Sequence, residues 1–131
     1  MLVNGSIDRK SQVRLLPESD GHAVCITLDG LVKGEDFDSV FLESLRDAHK
    51  KHGSFNIAMY FTNHIGWDEK AAALSFDGFY RYGQHAKRIA YISPPPGKIM
   101  HVKLFQSCIA AEIRVFPEEE LAAALAWVKE R

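Results

Sequence analysis

Phe55-Asn56-Ile57-Ala58-Met59-Tyr60-Phe61-Thr62-Asn63-His64-Ile65-Gly66-Trp67 is the stretch on which the fold turns. Its first half, Phe55 to Phe61, is a nearly continuous apolar run, the pattern of a strand buried on both faces of a parallel sheet. From Asp68 to roughly Gln84 the apolar spacing becomes helical. The residues between, Thr62 to Trp67, read as a strand-to-helix turn. In an open α/β sheet, ligands and partners gather outside the carboxyl ends of the strands, where such turns lie. Thr62, Asn63, His64, Ile65 and Gly66 are therefore the first candidates for contact with a partner.

The same alternation extends in both directions. Val13-Arg14-Leu15-Leu16-Pro17 reads as a short edge strand, with Pro17 closing it. Asp20-Gly21 signals a turn into His22–Leu28, a second strand expected to pair antiparallel with the first and to end at Asp29-Gly30. Gly34 to His52 is the clearest helix, with Phe37, Phe41, Leu45 and Ala48 on one face. Its acids lie in the first turn and Lys50, Lys51 and His52 in the last, with Gly53 as the stop. Arg88 to Ile92 is another strand, closed by Ser93-Pro94-Pro95-Pro96-Gly97. Lys98 to about Cys108 is a helix candidate, and Ala111 to Phe116 an edge strand. Pro117 suits a first helical position, followed by three glutamates and by Leu121, Ala124, Leu125 and Val128 facing a core. The expected fold class is α/β, with a four- to five-stranded, mostly parallel sheet, an antiparallel edge strand and about four helices.

A chain of 131 residues fits one domain, read as 11–131 behind a flexible arm at 1–10. Charged residues make up 25% and the net charge is −1, so nothing global points to nucleic acid. No run is long enough to span a bilayer, and Met1 to Ser6 lacks the apolar core of a signal peptide. Cys25 and Cys108 each sit in an apolar run and read as small buried hydrophobes. With no disulfide framework, a reducing cytoplasm is the expected setting.

In order along the chain, these elements resemble the STAS fold (sulfate transporter and anti-sigma-factor antagonist), in its SpoIIAA-like branch, related to the CRAL-TRIO fold. The residues carrying the likeness are Gly66-Trp67-Asp68 with Ala71, then Arg88-Ile89-Ala90, then Val115-Phe116-Pro117 leading to Ala124 through Trp127. Signalling members of that superfamily carry an Asp-Ser-Ser-Gly turn in which one serine is phosphorylated. Aligned on Gly66, the preceding residues here are Asn63, His64 and Ile65, with Thr62 too early. A phosphate switch needs a hydroxyl in register, so the kinase-switch function is not carried over.

Other chemistry finds little support. His49 and His52 lie three apart without a Cys, Asp or Glu at ligand spacing, and read as complementing the helix dipole. His22 is expected to face solvent, His101 to point outward beside Lys98, and His85 to lack a paired carboxylate. His64 lies in the turn without a neighbouring nucleophile. A hydrolase or isomerase would have to pair it with a distant carboxylate such as Asp29 or Asp77. Gly97-Lys98 lacks the leading glycine and following hydroxyl of a phosphate loop. No cofactor, no metal and no enzymatic activity are expected.

Apolar residues cover more of two helices than a single buried stripe requires. Trp67, Phe76, Phe79, Tyr80 and Tyr82 spread around one; Met100, Leu104 and Cys108 add a second line to Ile99, Val102, Phe105 and Ile109 on the other. The surplus fits ordinary packing, a second subunit, or an apolar cavity or membrane surface with Lys98, His101 and Lys103 as a basic rim. The resemblance to SpoIIAA-like and CRAL-TRIO proteins favours the cavity. The leading expectation is a non-enzymatic module holding a small apolar or lipid-like molecule at Trp67, Phe76, Phe79, Tyr80, Met100, Leu104 and Phe105, with Val32 and His64 near the mouth. The alternative is a protein-interaction regulator of the anti-sigma-antagonist type, a homodimer among its forms, meeting its partner through Thr62 to Gly66 without phosphorylation.

Overall fold

The computed structural model describes residues 13–20, 22–96, 106 and 109–130, with the side chains of His64 and Phe79 left out. Among the described residues, five strands form one sheet in the order β1 (Val13–Leu15), β2 (Ala23–Val32), β3 (Phe55–Trp67), β4 (Ala86–Ile92) and β5 (Glu112–Phe116). β1 pairs antiparallel with β2, and the remaining neighbours are parallel. The expected sheet and its antiparallel edge are therefore present.

Between β2 and β3 runs helix α1, built without a break from Gly34–Asp36, a π-helical Phe37–Leu42 and Glu43–His52. Gly53 ends it at φ +78°, a conformation open to glycine, and its N–H donates to the His49 carbonyl. Helix α2 (Glu69–Tyr82) joins β3 to β4 through a 3₁₀ turn at Gly83–His85. Its start is set by Asp68, whose Oδ1 accepts from Ala71 N at 2.7 Å as a helix cap. The same oxygen accepts from Gly34 N at 3.0 Å, so one carboxylate holds the starts of both helices.

Alternation along the strands sorts the core into two faces. Val24, Ile26 and Leu28, with Ile57, Met59 and Phe61 and with Ile89 and Tyr91, meet Phe37, Phe41 and Leu45 of α1. The opposite face carries Ala23, Cys25, Ala58 and Ala90, small side chains that admit helix α3 (Leu121–Lys129) with Trp127. The Trp127 ring is flanked by the guanidiniums of Arg88 and Arg114, 5.2 and 4.7 Å from its centroid.

Three sequence expectations change. β2 does not end at Asp29-Gly30 but runs on to Val32. Thr62 to Trp67 is not a turn but the second half of a thirteen-residue strand. The reason for both is cross-strand pairing, Leu31 with Gly66 and Val32 with Trp67, which outweighs the local turn signals. Pro117 and the three glutamates precede α3 as a 3₁₀ turn at Glu118–Glu120, with the Glu120 N–H donating to the Pro117 carbonyl. The expected helix from Lys98 to about Cys108 lies outside the described residues, except Gln106, which is helical.

Candidate functional site

The join of the two halves of β3 is where the sheet departs from regular pairing. Asp29 pairs with Thr62 and Leu31 with Gly66, so Gly30 alone faces Asn63, His64 and Ile65. The mismatch forms a bulge, a device that re-aims side chains at sheet margins. Gly30 accommodates it at φ +63° and Asn63 at φ +44°, the left-handed region that asparagine tolerates better than most residues. Asp29 ties the bulge down. Its Oδ1 accepts from Thr62 Oγ1 at 2.6 Å and from Asn63 Nδ2 at 3.3 Å. Above this base Ile65 is 78% exposed, beside Leu31 at 40%.

Beside the bulge a cleft of about 350 Å³ opens at the carboxyl ends of β3 and β4. Tyr60, Phe61, Thr62, Asn63, Ser93, Pro95 and Glu118 line it. Ser93, directly after β4, has φ +54°, so both positive-φ non-glycine residues among those described lie here. Backbone strain of this kind collects at functional sites. Ser93 is held there by its N–H donating to the Phe116 carbonyl at 2.8 Å. The Tyr60 hydroxyl is pushed above its ordinary value by partial burial and then by the Glu118 carboxylate. The arrangement offers hydroxyls, an amide and a carboxylate at the position that the parallel topology assigns to ligands.

Of the residues expected to hold an apolar molecule, the side chains of Val32, Trp67, Phe76 and Tyr80 are described, and they stand in different surroundings. Val32 is fully buried in the core, not at a mouth, because its pairing with Trp67 places it beneath the helices. Trp67 is half-buried, edge-on to Phe37 with centroids 5.3 Å apart. Phe76 and Tyr80 are 49% and 76% exposed on α2. Met100, Leu104 and Phe105 lie outside the described residues, as do Cys108, Lys98, His101, Lys103 and the side chains of His64 and Phe79. Thr62, Asn63, Ile65 and Gly66, by contrast, stand together in the bulge. Tyr60, Ser93 and Glu118 were not singled out from sequence. The one available signal was Ser93, which precedes three prolines at the end of a strand.

The other candidate groups have structural partners. His22 does not face solvent as expected. Its Nε2 donates to the Lys129 carbonyl at 2.9 Å and its Nδ1 lies 3.0 Å from Asp20. His49 stacks on His85, centroids 3.9 Å apart, with its Nδ1 2.8 Å from the Gly53 carbonyl. Asp77 pairs with Arg81 at 3.5 Å, away from the bulge. Burial, aided by Glu18 and Asp20, pushes the Cys25 thiol up to about 12, as suits a side chain packed as a hydrophobe. Among the described residues no three His, Cys, Asp or Glu side chains could hold a metal, and no helix is long and apolar enough to cross a membrane.

The SpoIIAA-like family model matches residues 23–129. No curated protein matches the sequence. The fold is similar to that of an uncharacterised protein with a SpoIIAA-like fold from Shewanella loihica PV-4, at TM-score 0.63 and 19% identity, over 88% of this chain and 91% of that one.

Proposed function

Taking as premise that the chain belongs to the SpoIIAA-like family, we propose that it is a non-enzymatic binding module that recognises a protein partner through the Thr62–Gly66 bulge. The observation carrying this reading is Ile65, 78% exposed on a bulge whose base is pinned by Asp29. An isoleucine held out on a rigid strand presents apolar area with little conformational entropy left to lose on contact. Leu31, 40% exposed, pairs with Gly66 on the facing strand. A partner resting there would also reach the polar cleft of Tyr60, Ser93 and Glu118. Thr62 is a poor phosphate acceptor in this setting, because its hydroxyl already donates to the Asp29 carboxylate. A phosphate there would set roughly two negative charges against that carboxylate. Recognition by shape and apolar contact, without a phosphate switch, follows.

The test is a photo-crosslinking residue at position 65 in the native cell, with a control at Lys51 on the exposed face of α1. The expected result is a discrete adduct at 65 only, lost in Leu31→Asp. Equal labelling at both positions would defeat the reading. An adduct with a second copy would make the partner this chain itself.

Exposed Phe76 and Tyr80, one turn apart on α2, favour a second reading: contact with an apolar or lipid-like molecule, or with a membrane surface. Native mass spectrometry of freshly purified protein, with solvent extraction, tests it. A co-purifying apolar molecule displaced in Tyr80→Glu would support it; ligand-free protein would count against it.

A further inference from the structure

At the opposite end of the sheet lies a larger cleft of about 390 Å³, lined by His22, His52, Ser54, Phe55, Asn56, Lys87, Arg88 and Glu130. It sits where β2, β3 and β4 begin, beside the ends of α1 and α3. Two helix C-termini carry partial negative charge there, and at α3 three of the terminal carbonyls are occupied. Arg88 Nη1 donates to the Trp127 carbonyl at 2.7 Å, Asn56 Nδ2 to the Val128 carbonyl at 2.7 Å, and His22 Nε2 to the Lys129 carbonyl at 2.9 Å. For α1, the Gly53 N–H takes the His49 carbonyl. The cleft's carboxylate, Glu130, is already paired with Arg88 at 2.9 Å.

The side chains left over are of one kind. Lys87, His52 and Ser54 have no hydrogen bond or ion pair among the described residues, and all three line the cleft. Beside them stands Arg88, whose guanidinium has donors beyond those used by Trp127 and Glu130. An ammonium, a guanidinium, an imidazole and a hydroxyl, with Glu130 and the α3 carbonyls already engaged, complement a compact acceptor-rich group. The volume suits a small molecule.

From this convergence we infer that the amino-end cleft is a binding site for a small oxyanion, a phosphate ester or a polycarboxylate, held by Lys87, Arg88, His52 and Ser54. It is separate from the bulge and does not depend on the partner reading proposed for it.

Inorganic phosphate and citrate, titrated at low salt into ¹⁵N-labelled protein, are the probes. The expected result is saturable shifts of the Ser54, Phe55 and Lys87 amides. Lys87→Glu, at an exposed position with no partner to lose, should weaken binding roughly tenfold or more. Arg81→Glu on α2 should leave it unchanged. Tighter phosphate binding assigns an ester, tighter citrate binding a polycarboxylate. Shifts that rise linearly without saturation, or that are the same in Lys87→Glu, overturn the proposal. His52→Ala gives an independent arm and should weaken binding without altering the Arg81→Glu comparison.

Discussion

At the amino ends of the parallel strands, side chains from three chain segments each take one carbonyl of the last turn of α3. At the carboxyl ends, one aspartate holds a bulge, and two non-glycine residues sit at positive φ. The first arrangement satisfies the buried Val128 carbonyl and ties the carbonyls on either side of it to the sheet. The second keeps apolar Ile65 and Leu31 in solvent and stores strain at Asn63 and Ser93. The same sheet thus ties down the last turn of α3 at one end and carries a strained bulge at the other. Asn56 shows how tightly the first end is drawn. Its amide donates to the Val128 carbonyl and its Oδ1 accepts from Arg88 N at 3.0 Å.

Removing that amide is the harshest way to test the comparison. Asn56→Ala strands a buried carbonyl and a backbone N–H, and should cost about 3 kcal/mol. Chemical denaturation measures it. A loss no greater than that of an exposed substitution would mean that the amino end is not the tied end.

Cys25 extends the contrast to pH, since it packs on the α3 face of the same half of β2. Its thiol is pushed from 9.0 to about 12 in the folded chain, chiefly by burial. A raised value leaves stability intact below the unfolded value. Above it the unfolded chain releases the proton first, so stability falls as pH climbs from about 9 towards 12. The slope attributable to Cys25 approaches about 1.4 kcal/mol per pH unit. Comparing urea midpoints of the wild type and Cys25→Ala across that window isolates it. Parallel pH profiles would show that the site admits water.

Much of this division could be read from residue order, and its decisive details could not. The alternating Val24, Ile26, Leu28 and the apolar run from Phe55 identified the sheet because a strand's two faces are encoded two residues apart. The helix from Gly34 to His52 was legible from spacing, terminal charges and Gly53. Asp29-Gly30 misled, since Asp-Gly marks a turn unless a partner strand continues beyond it. That partner, Gly66-Trp67, is more than thirty residues away. The carbonyl clasp is equally invisible, because Asn56 and Val128 are 72 positions apart and only the fold brings them together. At the candidate site, Thr62 to Gly66 were recognised as a unit, while the adjoining Tyr60, Ser93 and Glu118 depend on strand order.

The carboxyl end can be tested through its strain. Asn63 at φ +44° tolerates glycine but not a β-branched side chain. Asn63→Val should cost at least about 1 kcal/mol, and Asn63→Gly should be close to neutral. Equal effects from the two would mean that the bulge relaxes easily and does not present a fixed shape.

The smallest expected change in stability separates the two ends most sharply. Ile65 lies outside the core, so Ile65→Asp removes little buried area and should alter stability by no more than about 0.5 kcal/mol. Its effect belongs to recognition. A carboxylate at the centre of an apolar contact must be desolvated without a counter-charge, which a partner surface complementary to isoleucine does not supply. Crosslinking from a neighbouring position, Leu31, should therefore disappear in Ile65→Asp while the melting curve stays in place. If the melting curve falls by several degrees, Ile65 contributes to the fold and the bulge, like the amino end, serves stability. If both melting and crosslinking are unchanged, Ile65 is not part of the contact and the partner is held by other residues.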